Sequence, residues 1–145
     1  MRDSKPVVRV LLVDDYEPFR RFVREKLKTR SELEVVGEAT DGLEAVQKVE
    51  ELQPDLIVLD IGLPKLNGIE AAHRMSKLVP STTILFLSQN DDAEIVEAAL
   101  SNGAKGYVLK LDAERELLPA VGAVLRGERF ASRGIVQRRA SLPLD

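Results

Sequence analysis

The stretch Asp55-Leu56-Ile57-Val58-Leu59-Asp60-Ile61-Gly62-Leu63-Pro64 holds four consecutive apolar residues that run into a carboxylate. Four such residues with no polar alternation read as a strand buried on both faces. Pro64 has a fixed φ and no N–H, so the strand cannot continue through it. An aspartate at the carboxyl end of a buried strand stands where open α/β sheets place their ligands. Asp60 alone would serve as well as a turn or helix-capping residue, so the other strands must decide.

They repeat the pattern. Val7-Val8-Arg9-Val10-Leu11-Leu12-Val13 reads as a first strand ending at Asp14-Asp15. Pro18 suits a helix start, and Phe19, Phe22, Val23 and Leu27 recur at helical spacing to about Arg30. Leu33, Val35 and Val36 predict a second strand, followed by a turn over Glu38-Ala39-Thr40-Asp41-Gly42. Leu43, Val46, Val49 and Leu52 stripe the next helix. Asn67-Gly68 begins a third helix, stopped by Pro80, and Thr83-Ile84-Leu85-Phe86-Leu87 is a strand ending at Ser88. Asn90 is a suitable N-cap for a fourth helix, which Asn102-Gly103 closes. Gly106-Tyr107-Val108-Leu109 ends at Lys110, and Asp112 is expected to cap a last helix closed by Arg126-Gly127. Pro119 lies inside that helix, so a bend or an irregular first turn is expected.

Five strand–helix pairs in strict alternation predict an α/β fold, a doubly wound (βα)5 with a parallel sheet. Right-handed crossovers favour the flavodoxin-like order 2-1-3-4-5. All strands then point one way, and their carboxyl ends bring Asp14, Asp15, Asp60, Ser88 and Lys110 to one edge.

Composition narrows the function. A chain of 145 residues is long enough for one well-cored domain. It has no cysteine, which excludes disulfides, thiolate catalysis and cysteine-rich zinc sites. No apolar run approaches a membrane span and no signal-peptide core is present, so a cytoplasmic protein is expected. The net charge of −3 does not argue for nucleic acid or membrane. Arg126, Arg129, Arg133, Arg138 and Arg139 outnumber Glu128 and Asp145 near the end, which reads first as a solvated tail.

The converging carboxylates carry the chemistry. Two unit charges at 4 Å and an effective dielectric near 20 repel by roughly 4 kcal/mol. Such a cluster must hold a proton or bind a cation. An all-oxygen set without His or Cys selects a hard cation, Mg2+ first. Lys110 offers a compact positive charge for a phosphoryl oxygen, and Ser88 a hydroxyl. An aspartate beside them is a competent phosphoryl acceptor, because that transfer needs positioning and charge neutralisation above all. A Mg2+-dependent hydrolase with an aspartyl-phosphate intermediate would normally add a carboxylate just after the nucleophile, where this chain has Gly62. The single His73 lies mid-helix and reads as a surface or half-buried residue, so a phosphohistidine must come from a partner.

The set Asp14-Asp15, Asp60, Ser88 and Tyr107-Val108-Leu109-Lys110 resembles the receiver domain of two-component response regulators. The resemblance covers about residues 7–127, leaving 128–145 as a linker or tail. Asp15 and Asp60 stand 45 residues apart, and Asp60 and Lys110 50, as the family has them. The resemblance implies that Asp60 is the phosphoacceptor, charged by a sensor histidine kinase. Asp15, Asp60 and the Gly62 backbone carbonyl would bind Mg2+ directly, with Asp14 acting through water. Lys110 would pair with Asp60 and then with the phosphoryl group. Ser88 would swing toward that group while Tyr107 moves inward, remodelling the face made by the fourth helix, fifth strand and fifth helix, which could also pair two copies. Such a protein is a signalling module and not an enzyme, phosphorylated and dephosphorylated only at Asp60.

Gly106 to Lys110 and the ending Leu125-Arg126-Gly127-Glu128 look most like the subfamily with a LuxR-type helix-turn-helix output. The 18 residues after Gly127 are too few for that module. A receiver separated from a DNA-binding output is therefore expected. The alternative is a stand-alone or phosphorylation-independent receiver that acts as a protein-binding module. Leu63 and Leu111 depart from the family's frequent Met and Pro.

Overall fold

The computed structural model describes residues 7–135. Strand β1 (Val8–Val13) leads to helix α1 (Glu17–Lys28), then β2 (Leu33–Ala39), α2 (Gly42–Leu52), β3 (Leu56–Leu59) and α3 (Gly68–Leu78). These are followed by β4 (Thr83–Ser88), α4 (Ala93–Ser101), β5 (Gly106–Leu109), a 3-10 turn at Lys110–Asp112, α5 (Ala113–Leu125) and a short β6 (Phe130–Ala131). The strands pair in the order β2-β1-β3-β4-β5-β6, every neighbour parallel.

The period-two geometry of a strand explains why apolar runs without alternation are needed. Val10 and Leu12, Leu56 and Val58, Leu85 and Leu87, and Val108 face one side, where they meet Val23 and Leu27 of α1 and Leu117 and Val121 of α5. Leu11 and Val13, Ile57 and Leu59, Ile84 and Phe86, and Tyr107 and Leu109 face the other, against Ala45 and Val49 of α2, Ala72 and Met75 of α3, and Val96 and Ala99 of α4. Each fully buried Leu or Ile contributes about 1.5–3 kcal/mol by area. Two such layers clamp the central strands and fix their register.

The order 2-1-3-4-5 is as expected, but the sheet does not stop there. Phe130 and Ala131 pair with Gly106 and Tyr107 as a sixth strand, in the segment the sequence assigns to a linker or tail. Two residues are too short to show strand periodicity, so no pattern announced them. Ser132 then anchors the segment and is fully buried. Its hydroxyl accepts from the Leu109 N–H (2.8 Å) and donates to Glu116 Oε1 (2.6 Å), while its own N–H donates to the Tyr107 carbonyl (2.9 Å). Arg138 and Arg139 lie outside the described residues.

Local chemistry accounts for the other differences. Strand β2 runs on through Glu38 and Ala39, read from sequence as turn, because the Asp14 N–H still donates to the Ala39 carbonyl (3.1 Å). The α4 cap is Asp92, which accepts from the Glu94 and Ile95 N–H groups, and not Asn90, whose side chain accepts from the Asp92 N–H one step earlier. Asp112 does not cap α5, since its backbone is already helical. The 3-10 turn leads straight into the helix, and α5 continues through Pro119. Leu43, placed on the α2 stripe, is exposed, and Ala45 and Val49 carry the buried face.

Replacement of Ser132 by Ala leaves the buried Leu109 N–H without its acceptor and Glu116 without its hydroxyl donor. The variant should lose about 1–3 kcal/mol in urea unfolding. An unchanged midpoint would place β6 outside the cooperative fold.

Candidate functional site at the carboxyl edge of the sheet

Register builds the site. Val13 pairs with Leu59 in the β1–β3 ladder, so one further step puts Asp14 beside Asp60, whose N–H donates to the Val13 carbonyl (3.0 Å). Ser88 ends β4 opposite Leu109, and Lys110 follows at the end of β5. The loop after Asp60 is pressed against α3, because a Cβ on Gly68 would sit 2.0 Å from the Asp60 carbonyl oxygen. Only a glycine lets the helix start there.

The structure brings Asp14, Asp15 and Asp60 together, each offering an oxygen within 4.8 Å of the others. Asp14 and Asp60 are buried, Asp15 exposed. The sequence reading gave Lys110 to Asp60; the structure gives it to both buried carboxylates. Lys110 Nζ lies 2.8 Å from Asp14 Oδ2 and 3.1 Å from Asp60 Oδ2. The free oxygens are also held, Asp14 Oδ1 by the Tyr16 N–H (2.9 Å) and Asp60 Oδ1 by the Ile61 N–H (2.7 Å). Phe19 lies beneath the ammonium, its ring centroid 4.5 Å away, close enough for a cation–π contact. From sequence Phe19 looked like core alone. Its position in the first turn of the helix that follows Asp14-Asp15 was the one available signal.

These contacts set the protonation balance. Burial pushes the Asp14 carboxyl above its ordinary value; the hydrogen bonds from Lys110 and the Tyr16 N–H oppose this without cancelling it, and the Asp60 charge adds to the rise. Burial alone would lower the Lys110 ammonium, but its hydrogen bond to Asp14 and the Asp60 charge outweigh that and hold it above its ordinary value. The shared ammonium satisfies itself more fully than it satisfies Asp14. The edge is therefore short of positive charge, and its donor set of carboxylate oxygens fits a hard divalent cation.

A cleft of about 950 Å³ opens above the cluster, lined by Asp15, Asp60, Gly62, Ser88, Asn90 and Lys110. A Cβ on Gly62 would meet nothing within 4 Å, so the approach to Asp60 stays open on that side. The Ser88 hydroxyl accepts from the Asn90 N–H (3.1 Å). Tyr107 does not line the cleft and already lies inward, fully buried. Its hydroxyl donates to the Asn90 carbonyl (2.6 Å), and its ring packs 6.0 Å from that of Phe86.

An open α/β sheet that presents three carboxylates and a lysine at one strand edge fits a phosphoryl-accepting signalling module. The chain belongs to the response regulator receiver domain family, whose model matches residues 10–122. It is 40% identical over 124 residues to the transcriptional regulatory protein DegU of Brevibacillus brevis, across 85% of this chain and 52% of that protein. It is 37% identical over 121 residues to the response regulator protein VraR of Staphylococcus aureus, across 83% of this chain and 58% of that one. The chain thus spans little more than half the length of these relatives. The crystal structure of a LuxR-family two-component response regulator from an Aurantimonas species superposes with a TM-score of 0.88 at 34% identity, across 92% of this chain and 96% of that one.

Tyr107 supplies a pH test. Burial pushes its phenol from 10.0 up to about 12; a hydrogen bond with Ser88 opposes this, and the charges of Asp60 and Asp91 reinforce it. A folded value above the unfolded one means that the stability tied to the neutral phenol is complete below pH 10.0 and lost as pH rises toward about 12. With Tyr16 replaced by Phe, ultraviolet titration should show phenolate appearing near pH 12 or together with alkaline unfolding. Phenolate forming near pH 10 in a folded protein would contradict the burial.

Proposed function

We propose that Asp60 accepts a phosphoryl group from the phosphohistidine of a sensor kinase, and that the occupied site switches an output carried elsewhere in the full-length protein. One observation carries this reading: Lys110 sits between Asp14 and Asp60 at the floor of an open cleft, with Asp15 and Ser88 at its walls. In the transfer an Asp60 carboxylate oxygen forms the new O–P bond, the P–N bond to the donor imidazole breaks, and the departing ring nitrogen takes a proton. Asp14, Asp15 and Asp60, with the Gly62 carbonyl, would hold Mg2+, which supplies charge neutralisation for the phosphoryl oxygens.

The chain's own groups do the rest. The Ile61 N–H orients Asp60. Lys110 leaves its carboxylate partners for the phosphoryl group, a charge-assisted contact that the bare protein lacks. The Ser88 hydroxyl is one loop away from a second phosphoryl oxygen, and in turning toward it would release the Asn90 N–H. Because Asn90 also accepts from Tyr107, the movement passes to the face made by α4, β5 and α5. That face is the natural place for a partner or a second copy of this chain. The likeness to DegU, a transcriptional regulatory protein, supports a transcription regulator whose contact with DNA lies in an output module outside this chain, and the receiver family supports a cytoplasmic location; among the described residues no helix is long and apolar enough to cross a membrane.

Incubation with a small phosphodonor and Mg2+, read by intact mass, should give a single phosphoryl adduct. Asp60→Asn should give none. An adduct on the variant, or continuous turnover of the donor without any adduct on the parent, would contradict the assignment.

A further inference from the structure

Asp14 and Asp60 are each aimed by two contacts, but the Asp15 carboxylate makes no hydrogen bond or ion pair among the described residues. Its direction rests on the backbone that carries it. The peptide joining Asp14 to Asp15 is held from below, where an Arg20 terminal nitrogen donates to the Asp14 carbonyl (2.8 Å). Arg20 is itself fixed, its Nε donating to Glu38 Oε1 (2.6 Å). Glu38 accepts also from Arg24 (2.7 Å to Oε2), and these two guanidinium groups hold its carboxyl below the ordinary value in spite of its burial. Arg20 is largely buried and lines, with Asp14 and Asp60, a void of about 10 Å³ beneath the acidic cluster.

We infer that Arg20, braced by Glu38, is a positioning residue that sets the Asp14–Asp15 peptide and so aims the otherwise unsupported Asp15 carboxylate for cation binding. An arginine suits this task because its planar fork can serve a carboxylate with Nε and a carbonyl with a terminal nitrogen at once. A lysine at the same place could reach one of them only. The inference rests on the receiver reading, since it concerns the cation that reading requires.

Calorimetric Mg2+ titration of the parent, Arg20→Gln, Arg20→Lys and Arg24→Gln, each with thermal unfolding in EDTA, separates the possibilities. Arg24 shares Glu38 but does not touch the Asp14 carbonyl, so it controls for loss of the ion pair alone. Arg20→Gln should weaken Mg2+ binding by about tenfold, the lower end of what outer-shell supports contribute. Arg20→Lys should fall between it and the parent, and Arg24→Gln should stay within about twofold of the parent at a comparable loss of thermal stability. If Arg20→Gln does not fold, Arg20→Lys carries the comparison. Equal Mg2+ affinity in the parent and the Arg20 variants would overturn the inference and leave the receiver reading standing. A parent that binds no Mg2+ would overturn both.

Discussion

Everything at the carboxyl edge depends on one ammonium shared by two buried carboxylates. Without Lys110 between them, Asp14 and Asp60 would face each other across a short gap with little water to screen them, at a cost of several kcal/mol. With it that repulsion is offset, yet one cation cannot satisfy three anions. The sheet thus holds a site that still draws positive charge. A buried ion pair of this kind adds little net stability over an apolar replacement; under the proposed function its value lies in freeing the same lysine for a phosphoryl group.

The fold contributes alignment. Parallel strands buried on both faces cannot slip by one residue without turning a whole apolar set toward the wrong helix layer. Asp14, Asp60, Ser88 and Lys110 therefore inherit their places from Val13, Leu59, Leu87 and Leu109. The same strands tie the site to the far end of the sheet. Tyr107 and Leu109 are bonded through backbone groups to Ser132, which is tied to Glu116 on α5. The strand carrying Lys110 at its end is thus bonded to the Phe130–Ser132 segment and through it to α5.

Much of this was legible in the sequence because it is written in strong periods. Uninterrupted apolar runs between helical stripes give the sheet order, and the first polar residue after each run gives the site. What stayed hidden has weaker signals. A two-residue strand has no period, so β6 could not be seen beside the arginines around it. Asn90 and Asp92 are both good caps, and only the loop conformation chooses between them. Phe19 looked like a core residue alone and Arg20 carried no signal, because the path of α1 beneath Asp14 and Asp15 is a tertiary fact. The sharing of Lys110 by two aspartates likewise depends on side-chain reach across three strands.

The most direct measurement is thermal unfolding of Lys110→Met in EDTA and in saturating Mg2+. Loss of the shared ammonium should destabilise the metal-free variant by about 3 kcal/mol, the cost of leaving buried carboxylates unpaired. Mg2+ should recover most of that loss and bind more tightly than to the parent, because no lysine competes for Asp14 and Asp60. A variant as stable as the parent without metal, or one that Mg2+ fails to rescue, would contradict the account.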